Sequence, residues 1–488
     1  MKKNEDMLFQ ILDWNYYHEE TNEDNEEEKI GKDYVIRLFG RTDDNKSIYV
    51  KVTNYTPYFY IEIDEKWRND MVDKLIDHTK SQVNIKNEDE KWVNCGNGLI
   101  KYQIEKKYKF RGFTNFKKFT FVKLIFRDFD SMRGWTNYFR RKRIVPGVSK
   151  TAIKFPLYES NIEPYLRCMH IKDLEAVGWV KILKKNFVEL AKDETCCDIN
   201  ISTSWTNLEK VNSRTIQQFV IAAFDIECKS GDGSFPQAER DADGIIQIGT
   251  TFSRFGETEC FYQHIITLGT CDNIEGAEVI VCKTEKQVLL EWTKMIRKMD
   301  PDIITGFNIF QFDYKYLKDR AKKLGISSQF SRLSRVTNEY TKFKTKDLTS
   351  AALGKNTMTW YDMTGRINID LMKVVQKDYK LVSYKLDYVA SYFIKEDIDK
   401  LVHKKKNNQT LIATKSIYGV KENQYITILY NDGITDNRHM EGKKFKILGF
   451  TKEKNIEKNK EGIEIQVEKD IIIVDGIIDM DIMGKICS

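Results

Sequence analysis

Phe224-Asp225-Ile226-Glu227 closes a run of six apolar residues, Phe219-Val-Ile-Ala-Ala-Phe224. Side chains alternate along a strand, so Asp225 and Glu227 point to the same face. Two carboxylates side by side at the mouth of a sheet repel each other unless a divalent cation sits between them. Their hard oxygens suit Mg2+ or Mn2+. The same triplet pattern recurs at Asp24-Asn25-Glu26 and Asp173-Leu174-Glu175. Both read as solvated charge, because only Asp225 follows a buried-strand pattern. A third acid, Asp313, ends the segment Gly306-Phe-Asn308-Ile-Phe-Gln-Phe312-Asp313. Gly306 and Asn308 mark a turn after the strand-like Ile303-Ile304-Thr305, and Asp313 opens a helix with Leu317 and Leu324 turned inward. An acid at a helix start is ordinarily an N-cap. Its company with the first pair makes it a candidate metal ligand.

The elements that must position these acids alternate between strand and helix, as in α/β domains. The apolar run before Asp225 suits a central strand buried on both faces. Ile245-Ile-Gln-Ile-Gly-Thr250 and Glu259-Cys-Phe-Tyr-Gln-His-Ile-Ile266 read as strands beside it. Residues 284–299 read as an amphipathic helix, with Val288, Leu289, Trp292 and Ile296 at helical spacing and Thr284 placed to cap it. Upstream, Tyr34–Phe39, Ser47–Val52 and Pro57–Ile63 alternate like an antiparallel sheet with one wet face. The acidic run Glu19–Glu28 reads as a flexible surface loop, and residues 206–214 as a linker. Beyond Asn407 the chain turns Lys- and Asn-rich, with strand-like runs at 425–429 and 463–467.

A basic, aromatic segment spans Lys106 to Lys118 and includes Lys107, Tyr108 and Arg111. A second cluster is Tyr138-Phe139-Arg140-Arg141-Lys142-Arg143. Rings interleaved with cations suit nucleic acid, because bases stack on the rings while Lys and Arg neutralise phosphates. The alternative is a solvated basic face. Over 488 residues, 79 Lys and Arg stand against 73 Asp and Glu, a net charge of +6 that permits a polyanionic partner without demanding one. The nine cysteines form no C-x-x-C pair, which argues for reduced thiols and against a structural zinc site. No apolar stretch approaches the roughly 18 residues needed to cross a bilayer. The opening Met1-Lys-Lys-Asn-Glu-Asp6 turns acidic before any apolar run, unlike a secretory signal. The expectation is an intracellular protein with no membrane partner.

Phe224-Asp-Ile-Glu227 resembles the first exonuclease motif of family B DNA-directed DNA polymerases. Gly306-Phe-Asn-x-x-x-Phe-Asp313 resembles their second, with Phe307 where Tyr is usual, at a similar separation. Arg37-Leu-Phe-Gly40, Pro57-Tyr-Phe-Tyr60, Tyr158–Arg167 and Gly178-Trp179 resemble the amino-terminal domain of delta-type replicative polymerases, particularly those of large DNA viruses. Gly365-Arg-Ile-Asn-Ile-Asp-Leu371 and Ser383–Ala390 resemble segments that follow the second motif. The resemblance implies an α/β and β-rich multidomain chain, in which a mixed β-rich amino-terminal domain precedes an RNase H-like (DEDD) 3′→5′ exonuclease domain. The expected boundaries are a flexible acidic segment at 1–30, the amino-terminal domain at 31–213, the exonuclease domain at 214–405, and a strand-containing insertion or truncated tail at 406–488. It further implies that Asp225 and Glu227 ligate two Mg2+ or Mn2+ ions, with Asp313 holding the second directly or through water. Phe224, Asn308 and Phe312 would shape the groove for the single-stranded 3′ end of a primer-template. Single-strand contacts would also lie in the amino-terminal domain.

The family's third exonuclease motif, Tyr-x-x-x-Asp, has no counterpart in a suitable position. Tyr384-Lys-Leu-Asp387 is one residue short and falls where the family has an ordinary helix, so Asp387 reads as surface-facing. In Tyr430-Asn-Asp-Gly-Ile-Thr-Asp436, the acids Asp432 and Asp436 stand four apart instead of the two that the family's palm motif uses. Lys415-Ser-Ile-Tyr-Gly419 is a scrap of the fingers motif without its Asn. The expectation is therefore the amino-terminal and proofreading portion of a polymerase whose gene is truncated, split or incompletely assembled, with the polymerase domains on another polypeptide or missing. Such a chain would bind metal poorly and cleave slowly or not at all. Two alternatives stand beside it: a stand-alone DEDD exonuclease, and a non-catalytic DNA-binding or assembly module.

Overall fold

The computed structural model describes residues 6–21, 31–86, 90–110, 112–191, 194–350, 354–417, 420–431, 436–458, 464–478 and 485–487. They divide into two compact units, 1–371 and 372–488.

The first unit holds two large apolar cores. One draws on residues between Met7 and Leu208, the other on residues between Val220 and Met363. The linker expected at 206–214 belongs largely to the first: Leu208 lies in its core and Glu209–Val211 pairs with Trp179–Ile182. A seven-stranded sheet in the amino-terminal part runs, in spatial order, Phe187–Glu189, Ile199–Ser204, Ser47–Thr53, Gly31–Thr42, Met7–Thr21, Trp179–Ile182 and Glu209–Val211. The strand Met7–Thr21 corrects the expectation of a flexible segment through residue 30. Phe9 and Ile11 are buried, and the strand pairs with Gly31–Thr42 out to Glu20 and Thr21. The expected wet face is also missing around Ser47–Val50, where both sides are buried. Phe39 and Tyr49, on the side away from the main core, pack with Cys197, Leu190 and Val336. Tyr58–Ile63 leaves this sheet for a second one, ordered Leu99–Tyr108, Lys118–Phe126, Tyr58–Ile63 and Leu157–Tyr158.

The second core belongs to a six-stranded mixed sheet ordered Glu278–Cys282, Cys260–Leu268, Ile245–Arg254, Val220–Cys228, Ile303–Gly306 and Ile367–Asp370. Val220–Cys228 is internal, antiparallel to Ile245–Arg254 and parallel to Ile303–Gly306. The helix Glu285–Met299 covers one face, with Val288, Leu289, Trp292 and Ile296 buried as their spacing requires. A capping box formed by Thr284 and Gln287 starts it. The central strand is not buried on both faces. Val220, Ala222, Phe224 and Ile226 are buried under the helix, whereas Ile221 and Ala223 are half-buried and Asp225 and Glu227 exposed on the other side. The Ile and Ala that made the run look continuous line the open face.

The second unit carries a five-stranded sheet ordered Ile398–Lys404, Gln409–Thr414, Glu464–Asp475, Lys444–Lys458 and Tyr425–Thr427. Its core includes Ile412, Ile428, Phe445, Ile447, Ile472 and Val474. This sheet starts ahead of the expected boundary at 406. Among the described residues no helix is long and apolar enough to cross a membrane.

Candidate active site

The open face of the Val220–Cys228 strand presents Asp225, and the helix Asp313–Lys323 delivers the second acid to it. Gly306 ends the neighbouring strand at a point where a Cβ would sit 2.5 Å from the carbonyl oxygen of Phe224. Only glycine allows the backbone to pass that close. The chain then turns at Asn308, whose φ of 66° lies in the left-handed region that Asn tolerates. Asp370, at the end of the edge strand, holds the turn. Its two carboxylate oxygens accept hydrogen bonds from the backbone N–H of Asn308 at 3.0 Å and of Phe310 at 2.9 Å.

Asp313 is the first residue of its helix, and Phe312 takes the N-cap position without a side-chain bond. The Asp313 carboxyl is thus free of the capping role that its place in the sequence suggested. It is 2% exposed, and the Ile226 amide and the carboxyl of Asp225 both act on it electrostatically. Burial first, and then the charge of Asp225, push its carboxyl well above the ordinary carboxylate range. Its Oδ1 is buried with no hydrogen-bond partner. Such an orphaned acceptor beside a second carboxylate is chemistry suited to a hard cation.

Glu227 shares the face of Asp225. Its charge and that of Asp313 both bear on Cys228, whose thiol is pushed up to about 12, chiefly by burial. Among the described residues, however, no three His, Cys, Asp or Glu side chains group tightly enough to hold a metal ion. Asp225 and Asp313 meet, and Glu227 stands at their margin.

Phe224 does not shape a groove with its ring. The ring is buried, packed on Trp292 and Tyr314 at centroid distances of 4.9 and 5.4 Å, and supports the strand from beneath. Asn308 and Phe312 are half-buried at the turn. Phe312 meets Phe235 edge-on at 5.4 Å, and Phe235 is 73% exposed. Phe235 and Asp370 were not among the residues that sequence pattern singled out. A lone aromatic in the polar loop 229–244 was the available signal for the first, and the family-like Gly365–Leu371 segment for the second. A groove of about 350 Å3 runs beside Asp225 over Ala223, Gly249, Thr251, Gln263 and Ile265. Gly249 stands opposite Asp225 in register, and nothing lies within 4 Å of where its Cβ would be.

The other candidates lie elsewhere. Lys107 is tied to Glu105 at 2.8 Å and to the Tyr60 hydroxyl at 2.9 Å, while Tyr108 is exposed. Arg140 and Arg141 are exposed just past the helix Phe129–Phe139. Asp387 is exposed in the first turn of Leu386–Ile394. Asp436 sits in the short strand Asp436–Arg438. Arg111 and Asp432 lie outside the described residues.

A buried ion network anchors the start of the carboxylate strand. Asp302, fully buried, accepts from the Val220 N–H at 2.7 Å, from Arg335 at 2.8 Å and from Arg41. Arg335 and Arg366 also reach Asp300, at 2.9 and 2.8 Å.

A mixed sheet with paired acids at its open face, one on the central strand and one on a following helix, is the arrangement of an RNase H-like nuclease domain. Comparison with known proteins agrees. Residues 155–389 match the family model for the exonuclease domain of DNA polymerase family B. The DNA polymerase of Acanthamoeba polyphaga mimivirus is 34% identical across 93% of this chain, which spans 31% of that protein. The DNA polymerase delta catalytic subunit of Dictyostelium discoideum is 31% identical across 75% of the chain and 33% of its own length. The family B DNA polymerase of the archaeon Pyrobaculum calidifontis shares the fold over 80% of this chain and 40% of its own, with a TM-score of 0.51 and 20% identity. Residues 155–389 are therefore a family B polymerase exonuclease domain, and the chain corresponds to the amino-terminal and exonuclease region of such enzymes. It spans about a third of the mimivirus and Dictyostelium relatives.

Proposed function

We propose that this chain is the DNA-binding and proofreading portion of a family B replicative DNA polymerase, acting on the single-stranded 3′ end of a primer-template inside the cell. The observation that carries this reading is the meeting of Asp225 and Asp313, with the partnerless Oδ1 of Asp313 between strand and helix. Asp225, Glu227 and Asp313 would hold one or two Mg2+ or Mn2+ ions. Bound ions of this kind supply Lewis-acid stabilisation of a phosphoryl group and an activated water for 3′→5′ hydrolysis.

The chain's own residues do the rest. Asp225, joined by Asp313 once a cation displaces its proton, places negative charge where a phosphodiester must be met by a cation, so neither binds DNA without one. Phe235, braced by Phe312, offers an exposed ring for a terminal base. The groove over Gly249 leaves room beside Asp225 for a nucleotide. The domain boundary falls at 213/214, between the two apolar cores, and polymerisation belongs to segments outside this chain, on the same or a separate polypeptide.

A second reading, a DNA-binding or assembly module with little cleavage, draws on one observation: only two acids converge among the described residues. One assay separates the two. Purified chain is incubated with Mn2+ and a 3′-labelled single strand. Metal-dependent release of mononucleotides that is lost in Asp225→Ala supports the first reading. No release above that of Asp225→Ala at any metal concentration supports the second.

A further inference from the structure

We infer that the tip of the hairpin formed by Leu99–Tyr108 and Lys118–Phe126 is a second nucleic-acid grip, which takes single-stranded polynucleotide by stacking unpaired bases on Phe110, Phe113 and Phe116. These three rings are each at least 88% exposed, and Tyr108 at the base of the tip is 59% exposed. Leaving that much aromatic surface in water forgoes the stabilisation that burial would give. Four such rings within nine residues mark a surface made to be covered.

The charge around the rings selects the partner. Residues 106–118 contain six Lys or Arg and no acid. Lys107, Lys109 and Lys117 lean back onto Glu105, Glu62 and Glu65 at the foot of the hairpin, at 2.8, 2.7 and 3.2 Å. Lys118 lies 5.2 Å over the Tyr108 ring. Rings project at the tip and cations ring its base, so a strand whose bases meet the Phe side chains brings its phosphates to the lysines. A duplex hides its bases and cannot use the rings. Lys109 and Lys118 each sit over an aromatic face, the same cation–π geometry that a stacked base would extend. This grip does not depend on the carboxylate site, because it uses no metal.

The test is fluorescence anisotropy of the full chain with a labelled oligothymidylate in EDTA, where hydrolysis cannot contribute. The triple variant Phe110→Ala/Phe113→Ala/Phe116→Ala changes only exposed side chains, and an unaltered circular dichroism spectrum and melting temperature would confirm its fold. It should bind at least about tenfold more weakly, with its salt dependence nearly unchanged, because stacking and counterion release are separate contributions. Lys106→Gln/Lys118→Gln should instead lower the slope of log affinity against log salt by about one to two. The inference is overturned if the triple variant binds within about twofold of wild type. It is equally overturned if wild type binds duplex as well as single strand with the same Phe dependence, or if the rings matter only for anionic phospholipid vesicles. Failure of the nuclease assay leaves this result untouched.

Discussion

Replacing Asp370 with Ala should unhinge the turn that delivers Asp313. The carboxylate is 1% exposed, and its oxygens take the N–H groups of Asn308 and Phe310 at 3.0 and 2.9 Å. Removing it leaves two half-buried amide donors unpaired, where a fully buried one would cost about 1–3 kcal/mol. Water entering the space left by the carboxylate returns part of that, so the expected cost is about 3 kcal/mol for Ala. Asp370→Asn keeps one carbonyl acceptor but turns an NH2 donor toward the other amide, for about half the loss. The chain has more than one core, so a single global unfolding midpoint would blur the effect. Hydrogen exchange of the peptide covering 306–313 reads it locally. A cost of about 3 kcal/mol corresponds to roughly 150-fold faster exchange of those amides. Mn2+ affinity should fall in the same order, wild type above Asn above Ala. Exchange in Asp370→Ala within about fivefold of wild type, or Mn2+ affinity unchanged despite fast exchange, would refute the claim that this carboxylate positions Asp313.

Gly249→Val should fold normally, since open space surrounds its Cβ position, yet fill the groove opposite Asp225. A rise in KM for a single-stranded substrate of about tenfold, with Mn2+ binding unchanged, is the expected signature. Thr284→Ala removes the capping box of Glu285–Met299 and should cost about 1 kcal/mol, read as faster exchange in that helix. Acid should loosen the Asp300 network. Burial disfavours the charge on Asp300, but Arg335 and Arg366 outweigh it and hold the carboxyl well below its ordinary value of 3.8. A depressed carboxyl contributes stability that is present in full above the unfolded value and is lost as pH falls through the folded one. Protection of the amides around residues 300–302, corrected for the pH dependence of intrinsic exchange, should therefore be constant above about pH 5 and fall as pH drops below about 4. Arg366→Met lifts the folded value toward the unfolded one, so less protection should be lost over the same pH range.

Much of the site was legible because its signals are local. The Asp-x-Glu spacing puts both acids on one face of a strand whatever the rest of the chain does. The Thr284 cap and the spacing of Val288, Leu289, Trp292 and Ile296 similarly specify a helix and its buried side. Two of the misreadings concern which face meets what. Phe224 belongs to a motif that suggests a groove, but strand alternation places it opposite Asp225 and therefore in the core. Phe39 and Tyr49 lose their water to Leu190, Cys197 and Val336, which lie far away in sequence. The strand Met7–Thr21 was obscured because its polar end, Glu19-Glu20, runs on into an acidic stretch. Asp370 acts through backbone amides 60 and 62 residues away, and no periodicity records a bond of that kind.

The two acids that meet are held from opposite sides by two acids that take no part in chemistry. Asp302 receives the Val220 amide and so fixes where the carboxylate strand begins. Asp370 receives the Asn308 and Phe310 amides and so fixes where the turn ends. The supports differ in kind. Asp302 is paired with Arg335 and Arg41, so cations offset much of the cost of burying its charge. Among the bonds at Asp370, the two backbone donors anchor the turn directly. Asp313 has no cation to offset its charge: burial and repulsion by Asp225 outweigh the help of the Ile226 amide and raise its carboxyl above the ordinary range. The energy of forcing these two together is supplied by supports that remain in place whether or not a cation is bound. A divalent ion then finds a pair already assembled, and its binding must displace the proton that Asp313 retains. The same reasoning makes a third converging acid the element that would turn a pair able to bind a cation into a site able to hold two.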